Sequence, residues 1–245
     1  MKRRLDILLV EKGLCESRTR AQALVMEGKV RVAGQVERKA SRQVDDEVPV
    51  EIEAPQRFVS RGGEKLEGAF NCWPALSAEG RTCLDVGAST GGFTDCLLQH
   101  GAAKVMAVDV GTNQLAWKLR SDPRVWVREN FNARYMTSSD LPETPTLAVT
   151  DVSFISLKLI LPPIRDVLAP GGEAVALIKP QFEVGKGNAP GGLVRDERLR
   201  LAARDEIVRF AREELSLELL GLAESPILGR EMGNIEYLSY WRKNP

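Results

Sequence analysis

Histidine is almost missing from this chain: His100 is the only one among 245 residues. Cysteine is sparse too, with Cys15, Cys72, Cys83 and Cys96 falling singly and never as Cys-x-x-Cys. No zinc site of ordinary spacing can be built from such a set, so no metal is expected. Free thiols suit a reducing compartment, and a cytoplasmic location is expected. His100 directly precedes Gly101, where a helix should end, and a capping or dipole role fits it better than catalysis. Long apolar runs are also lacking. None approaches the ~18 residues of a membrane helix, and residues 5–10 are too short and too interrupted by Asp6 for a signal peptide. No membrane partner is expected. Internal repeats and low-complexity tracts are absent as well. Net charge is zero, with Lys+Arg 34 against Asp+Glu 34, so the total does not announce a nucleic-acid partner.

The distribution of charge says more. Residues 1–42 carry eleven Lys/Arg against five Asp/Glu, and the remainder is acidic by the same excess of six. Among the eleven are Arg3, Arg4, Arg18, Arg20, Lys29 and Arg31, the candidates for contact with an RNA backbone. The pattern here predicts a short apolar helix closed by Gly13, then a second helix capped by Ser17 and ended by Gly28. Val30-Arg-Val32, the turn Ala33-Gly34 and Val36 read as a hairpin. Such a charged face could also be merely solvated. The length allows one large domain besides this small one. We place a basic domain at 1–54, a linker rich in Pro, Gly and polar residues at 55–64, and the large domain at 65–245. Phe58 and Val59 are apolar, so the linker should dock, and a helix should run over 66–73.

The large domain alternates strand and helix. Strands are expected at 82–85, 104–109, 125–127, 146–150, 173–178, 217–222 and 235–241, with helices at 93–99, 157–168 and 199–214. That is an α/β, Rossmann-like fold with a seven-stranded, mostly parallel sheet and a terminal hairpin holding one antiparallel strand. After the first of these strands comes Asp85-Val-Gly-Ala-Ser-Thr-Gly-Gly-Phe93. The glycines let backbone approach a ligand closely. The spacing D-x-G-x-x-x-G-G is not the dinucleotide pattern G-x-G-x-x-G. It also opens with an acid, which would repel a pyrophosphate but suits an ammonium group, as in S-adenosylmethionine. Asp85, Gly87, Ser89, Gly91, Gly92 and Phe93 are therefore candidate cofactor residues. Asp109, 24 positions after Asp85, falls where α/β nucleotide folds set a carboxylate on ribose hydroxyls. Asn132 and Asp151 complete the set. A single strand-end acid is often only a cap or turn residue; several on one sheet edge beside a glycine loop are harder to dismiss.

The methyl acceptor is read from the later strand ends. Enzymes acting on exocyclic base amines carry [Asp/Asn]-Pro-Pro-[Tyr/Phe]; here the run is Asp151-Val-Ser-Phe154, without prolines. Enzymes acting on a pyrimidine carbon need a cysteine, and none lies just past the fourth or fifth strand. The fifth strand leads instead straight into Lys179. A lysine in its neutral form can take the proton of a sugar hydroxyl.

Residues 3–50 resemble the small RNA-binding domain first named for ribosomal small-subunit protein four. The whole chain resembles the TlyA group of ribosomal RNA methyltransferases, through Ser60-Arg-Gly-Gly-x-Lys-Leu66, the glycine loop, Val149-Thr-Asp-Val-Ser-Phe154, Leu177-Ile-Lys-Pro-Gln-Phe-Glu183 and Gly233-Asn-Ile-Glu-Tyr237. Phe58 stands where members often carry tryptophan. The catalytic half is similar to FtsJ-type ribose 2′-O-methyltransferases, known for a Lys-Asp-Lys-Glu tetrad. The resemblance implies that Lys65, Asp151, Lys179 and Glu236 form it. It also implies methyl transfer from S-adenosylmethionine to a cytidine 2′-hydroxyl of ribosomal RNA within ribosomal subunits, by a monomer. Lys179 would act as general base, Asp151 would hold it, and Lys65 and Glu236 would position the ribose. Two other readings are a non-catalytic RNA-binding or ribosome-assembly factor and a membrane-active haemolysin.

Overall fold

The computed structural model describes residues 2–53, 56–185, 187–229 and 233–244. The chain divides into two units, Met1–Pro55 and Gln56–Pro245.

In the first unit β1 (Lys2–Arg4) leads into α1 (Leu5–Glu11), and α2 (Arg18–Met26) comes next. Ser17 caps α2: its Oγ accepts from the Arg20 amide at 3.2 Å, satisfying one of the donors a helix start leaves free. β2 (Val30–Val32) and β3 (Gln35–Glu37) form the expected hairpin. Its two-residue turn has φ 49° at Ala33 and 76° at Gly34, both positive as a tight hairpin of this kind requires. The unit is more than two helices and a hairpin. β4 (Gln43–Asp45) pairs with β1, and β5 (Val50–Ile52) pairs with β2. Leu5, Leu8, Leu9, Ala21, Val25 and Val30 lead its own apolar core.

The second unit begins with α3 (Gly62–Cys72), β6 (Thr82–Val86), α4 (Gly92–Gln99), β7 (Lys104–Val108), α5 (Trp117–Arg120) and β8 (Val125–Arg128). It continues with β9 (Leu147–Thr150), α6 (Leu161–Val167), β10 (Glu173–Ile178), α7 (Pro180–Glu183), α8 (Glu197–Glu213), β11 (Leu217–Glu224) and β12 (Tyr237–Lys243). The seven strands make one sheet in the order β11-β12-β10-β9-β6-β7-β8. β6 to β10 are parallel, and β12 runs antiparallel to both its neighbours. The last two strands do pair, but β12 is set inside the sheet and β11 takes the edge. Alternation divides the side chains between two faces. Cys83, Ala107, Val149 and Leu177 pack with α3 and α4, while Leu84, Met106, Ala148 and Ala176 pack with α6 and α8. Burial on both faces is why these strands read as continuous apolar runs.

Several boundaries move. Helix α3 starts at Gly62 rather than residue 66, and Phe58 is buried in the core of this unit, so the stretch read as linker is largely built into the fold. The helix expected over 157–168 is a short 3-10 turn, Leu157–Leu159, and then α6. Pro162 and Pro163 stand in the first turn of α6, the one place where a missing N–H costs little. Asp196 caps α8 two residues earlier than expected, accepting from the Arg198 amide at 2.8 Å. β12 is shifted two residues along, to Tyr237–Lys243. His100 is the C-cap of α4, and its ring stacks on Phe70 at 4.1 Å. Among the described residues no helix is long and apolar enough to cross a membrane.

Candidate active site

The glycine loop leaves β6 in left-handed backbone, with φ 83° at Gly87, 47° at Ser89 and 95° at Gly91. Its second half is fixed by close approach. A Cβ on Gly92 would lie 2.8 Å from the Gly63 amide nitrogen and 3.1 Å from Gly62 Cα. Ser60-Arg-Gly-Gly63 therefore lies against Gly91-Gly92, and this contact carries the start of α3, and with it Lys65, to the end of β6. Asp109 ties the loop to β7 by accepting from the Ser89 amide at 2.7 Å and the Gly111 amide at 2.6 Å.

A cleft of about 720 Å³ opens here, with Gly87, Ser89, Gly92 and Phe93 on its wall. Four expected cofactor residues do not line it. Asp85 is fully buried beneath the loop, where Thr94 Oγ1 donates to Oδ2 at 2.6 Å and Oδ1 has no partner among the described residues. Burial pushes its carboxyl up to about 7, with the charges of Asp151 and Asp109 adding to the effect. Gly91 faces inward: a Cβ there would meet Leu119 Cδ1 at 2.3 Å. Asp109 turns one oxygen to the Ser89 amide of the loop and the other to the Gly111 amide just past its own strand. Asn132 caps the 3-10 turn Ala133–Tyr135, accepting from the Arg134 amide at 3.1 Å.

Opposite the loop, four charged side chains from distant segments form one chain of contacts. Lys179, at the end of β10, sits with Nζ 2.6 Å from Asp151 Oδ1, at the end of β9. Asp151 Oδ2 is 3.7 Å from Lys65 Nζ, which donates to Glu236 Oε2 at 2.7 Å. Lys65, Lys179 and Glu236 are buried, yet all four residues line the cleft. Two cations and two anions in alternation leave no net charge to desolvate, the condition under which such groups tolerate burial. Two polar neighbours were not anticipated. Lys179 also donates to Ser153 Oγ at 2.8 Å, and Gln181 Nε2 lies 3.4 Å from Glu236 Oε1. Asn234, likewise unforeseen, is buried and clasps a wall of the cleft. Its side chain accepts from the Val194 amide at 2.9 Å and donates to the Gly192 carbonyl at 2.7 Å. Its only signal in the sequence was a place two residues before Glu236.

The basic candidates all lie in the first unit. Arg18, Arg20, Lys29 and Arg31 are exposed, and Arg3 and Arg4 half-buried. Arg4 and Arg18 converge on one buried carboxylate. Arg4 donates to both oxygens of Asp6 at 3.0 Å, Arg18 Nε donates at 2.9 Å and Gln22 at 2.8 Å. The Arg4 hydrogen bonds above all hold that carboxyl far below the usual range. Arg3 pairs with Glu11, Lys29 with Glu27 at 2.8 Å, and Arg31 donates to the Gly34 carbonyl at 3.2 Å.

Comparison with known proteins respects the same division. Residues 58–243 match the family described as FtsJ-like methyltransferase, and residues 3–50 match the S4 domain. The 16S/23S rRNA (cytidine-2′-O)-methyltransferase TlyA of Mycobacterium tuberculosis is 44% identical over 242 residues, spanning 98% of this chain and 89% of that protein. Hemolysin A of Brachyspira hyodysenteriae is 43% identical over 244 residues, spanning 97% of this chain and 99% of its own. A solved structure named "Putative hemolysin from Streptococcus thermophilus" superposes with a TM-score of 0.77 at 44% identity, covering 99% of this chain and 89% of that one.

Proposed function

The chain belongs to the FtsJ-like methyltransferase family, and on that premise we propose that it methylates the 2′-hydroxyl of a cytidine ribose in ribosomal RNA, with S-adenosylmethionine as donor. One observation carries the reading: Lys179, Asp151, Lys65 and Glu236 stand in unbroken contact along the wall of a cleft that also holds the glycine loop. The residues present suit the cofactor. Gly87, Ser89 and Phe93 offer it backbone and an aromatic face, and Asp151 offers a carboxylate suited to a sulfonium. When bound, S-adenosylmethionine supplies a methyl group whose bond to sulfur breaks with the electron pair left on a neutral thioether.

The chain's own residues handle the proton and the ribose. Lys179 in its neutral form takes the 2′-hydroxyl proton and becomes an ammonium, which Asp151 Oδ1 is placed to hold. Lys65 and Glu236 hold each other at the far side of Asp151 and orient the ribose. The relay leaves each carboxylate beside a lysine before and after the transfer, so little reorganisation accompanies it. RNA is gripped by residues 1–54, where the S4 domain lies, and modified by residues 65–245.

The test uses purified ribosomal subunits and S-adenosylmethionine tritiated in the methyl group. Alkaline hydrolysis cannot cut next to a 2′-O-methyl group, so label is expected in alkali-resistant dinucleotides. Label in mononucleotides would mean base methylation and would overturn the reading.

A further inference from the structure

The turn after β9 sets two oxygens beside one lysine, of which only that of Ser153 accepts a hydrogen bond. Asp151 Oδ1 stands 2.6 Å from Lys179 Nζ, and Ser153 Oγ, two residues further on, accepts from the same nitrogen at 2.8 Å. The turn that achieves this is costly. Phe154 has φ 64°, a left-handed conformation that a bulky residue seldom takes. Ser153 is exposed to the cleft, so its hydroxyl is not needed to fill a core.

An amine nitrogen has four tetrahedral directions. One is the bond to Cε, and the hydrogen bond to Ser153 Oγ takes a second. Asp151 Oδ1 is close enough for an ion pair but makes no hydrogen bond among the described residues. With that second direction held, the rotor about Cε–Nζ is set, and the other two directions stand at fixed angles on a residue that lines the cleft. In the neutral form one of them carries the lone pair. With only the ion pair to Asp151, which makes no such angular demand, the NH2 group could turn about the Cε–Nζ bond and present the lone pair elsewhere. We propose that Ser153 is a positioning residue for the methyl transfer: its Oγ locks the rotor of Lys179 so that the lone pair points at the ribose 2′-hydroxyl. The proposal rests on Lys179 being the base. It assigns Ser153 no proton of its own to give or take; the 2′-hydroxyl proton still ends on Nζ. The charged groups around the nitrogen are Asp151 from the end of β9, with Lys65 of α3 and Glu236 before β12 beyond it. None of these takes the place of the Ser153 oxygen.

The experiment compares Ser153→Ala and Ser153→Thr with the parent, on purified ribosomal subunits and the full chain. The expected result for alanine is a fall in kcat of about 10-fold, the scale of one hydrogen bond to a charged group. KM for subunits and calorimetric affinity for S-adenosylmethionine should both stay unchanged. Threonine, which keeps the hydroxyl, should restore most of kcat. A second readout needs no turnover. In protein with 15N-labelled lysine, the Nζ protons of Lys179 should exchange with water faster in the alanine variant than in the parent. Alanine at parent kcat would overturn the proposal. So would threonine as slow as alanine, or a loss expressed in KM alone. Lys179→Ala separates the two claims: if it keeps parent activity, the base assignment itself falls, whatever Ser153 does.

Discussion

Replacing Asp85 by asparagine should flatten the dependence of stability on pH. The carboxyl is wholly buried, has one oxygen without a partner among the described residues, and titrates at about 7 in the folded chain against 3.8 for a free aspartate. Its folded value lies above its unfolded one. Between about pH 4 and about pH 7 the folded chain therefore keeps a proton that the unfolded chain releases. The stability this group contributes is full below that window and is lost as pH rises through it. Integrating between those two values, the parent should lose about 2.5 kcal/mol from this group between about pH 5 and about pH 8. Asparagine does not titrate and still offers an oxygen to Thr94 Oγ1, so its curve should lack this slope. For a unit of this size the difference amounts to about 5–10 °C in Tm. Calorimetric melting of both proteins at the two pH values measures it, and every titrating group not coupled to Asp85 cancels in the double difference. Parallel curves would refute the claim that burial governs Asp85.

Lys179→Ala should abolish methyl transfer to subunits while calorimetry finds S-adenosylmethionine affinity within about threefold of the parent, because the residue serves the acceptor and not the cofactor. Gly92→Ala should be destabilising by about 1–3 kcal/mol, as overpacking is, although alanine suits a helix better by about 1 kcal/mol. The new Cβ would stand 2.8 Å from the backbone at Gly63, and an unchanged or higher Tm would contradict that contact. Lys65→Met strands the buried Glu236 carboxylate and should cost about 3–5 kcal/mol in denaturant titration. Adding Glu236→Leu should recover much of that stability without recovering activity.

The inner strands β6, β7, β9 and β10 were legible because burial on both faces makes each one an apolar run between turn residues, while the edge strands β8 and β11 are only partly buried and showed as shorter or interrupted apolar stretches. The three-residue strands β1, β4 and β5 were not legible, since such lengths carry no period and are set by pairing with distant partners. The tetrad came from resemblance, residue by residue, and the structure brings its members together. Ser153 and Gln181 had no pattern to announce them. Each is a single polar residue just past a strand end, and its meaning depends on which lysine or glutamate the turn delivers it to. Asp85 and Gly91, expected beside the cofactor, are turned inward and do not line the cleft, because a loop motif shows proximity in sequence but not which way each residue faces. Phe58 was noticed as apolar in a polar stretch, and its docking agrees with that, but where α3 begins depends on the packing of Gly62 and Gly63 against the loop.

The place of β12 in the sheet sets the order in which the molecule can be finished. Glu236 stands just ahead of β12, the last of the seven strands in chain order, and its partner Lys65 lies 171 residues earlier. Because β12 sits between β10 and β11, β11 has no sheet to join until β12 is in position. A nascent chain can pair β6 to β10 and form the glycine loop while its tetrad still lacks the fourth member. Completion of the site thus waits for synthesis to pass through β12. An rRNA-methylating chain would therefore be inert until that strand is in place.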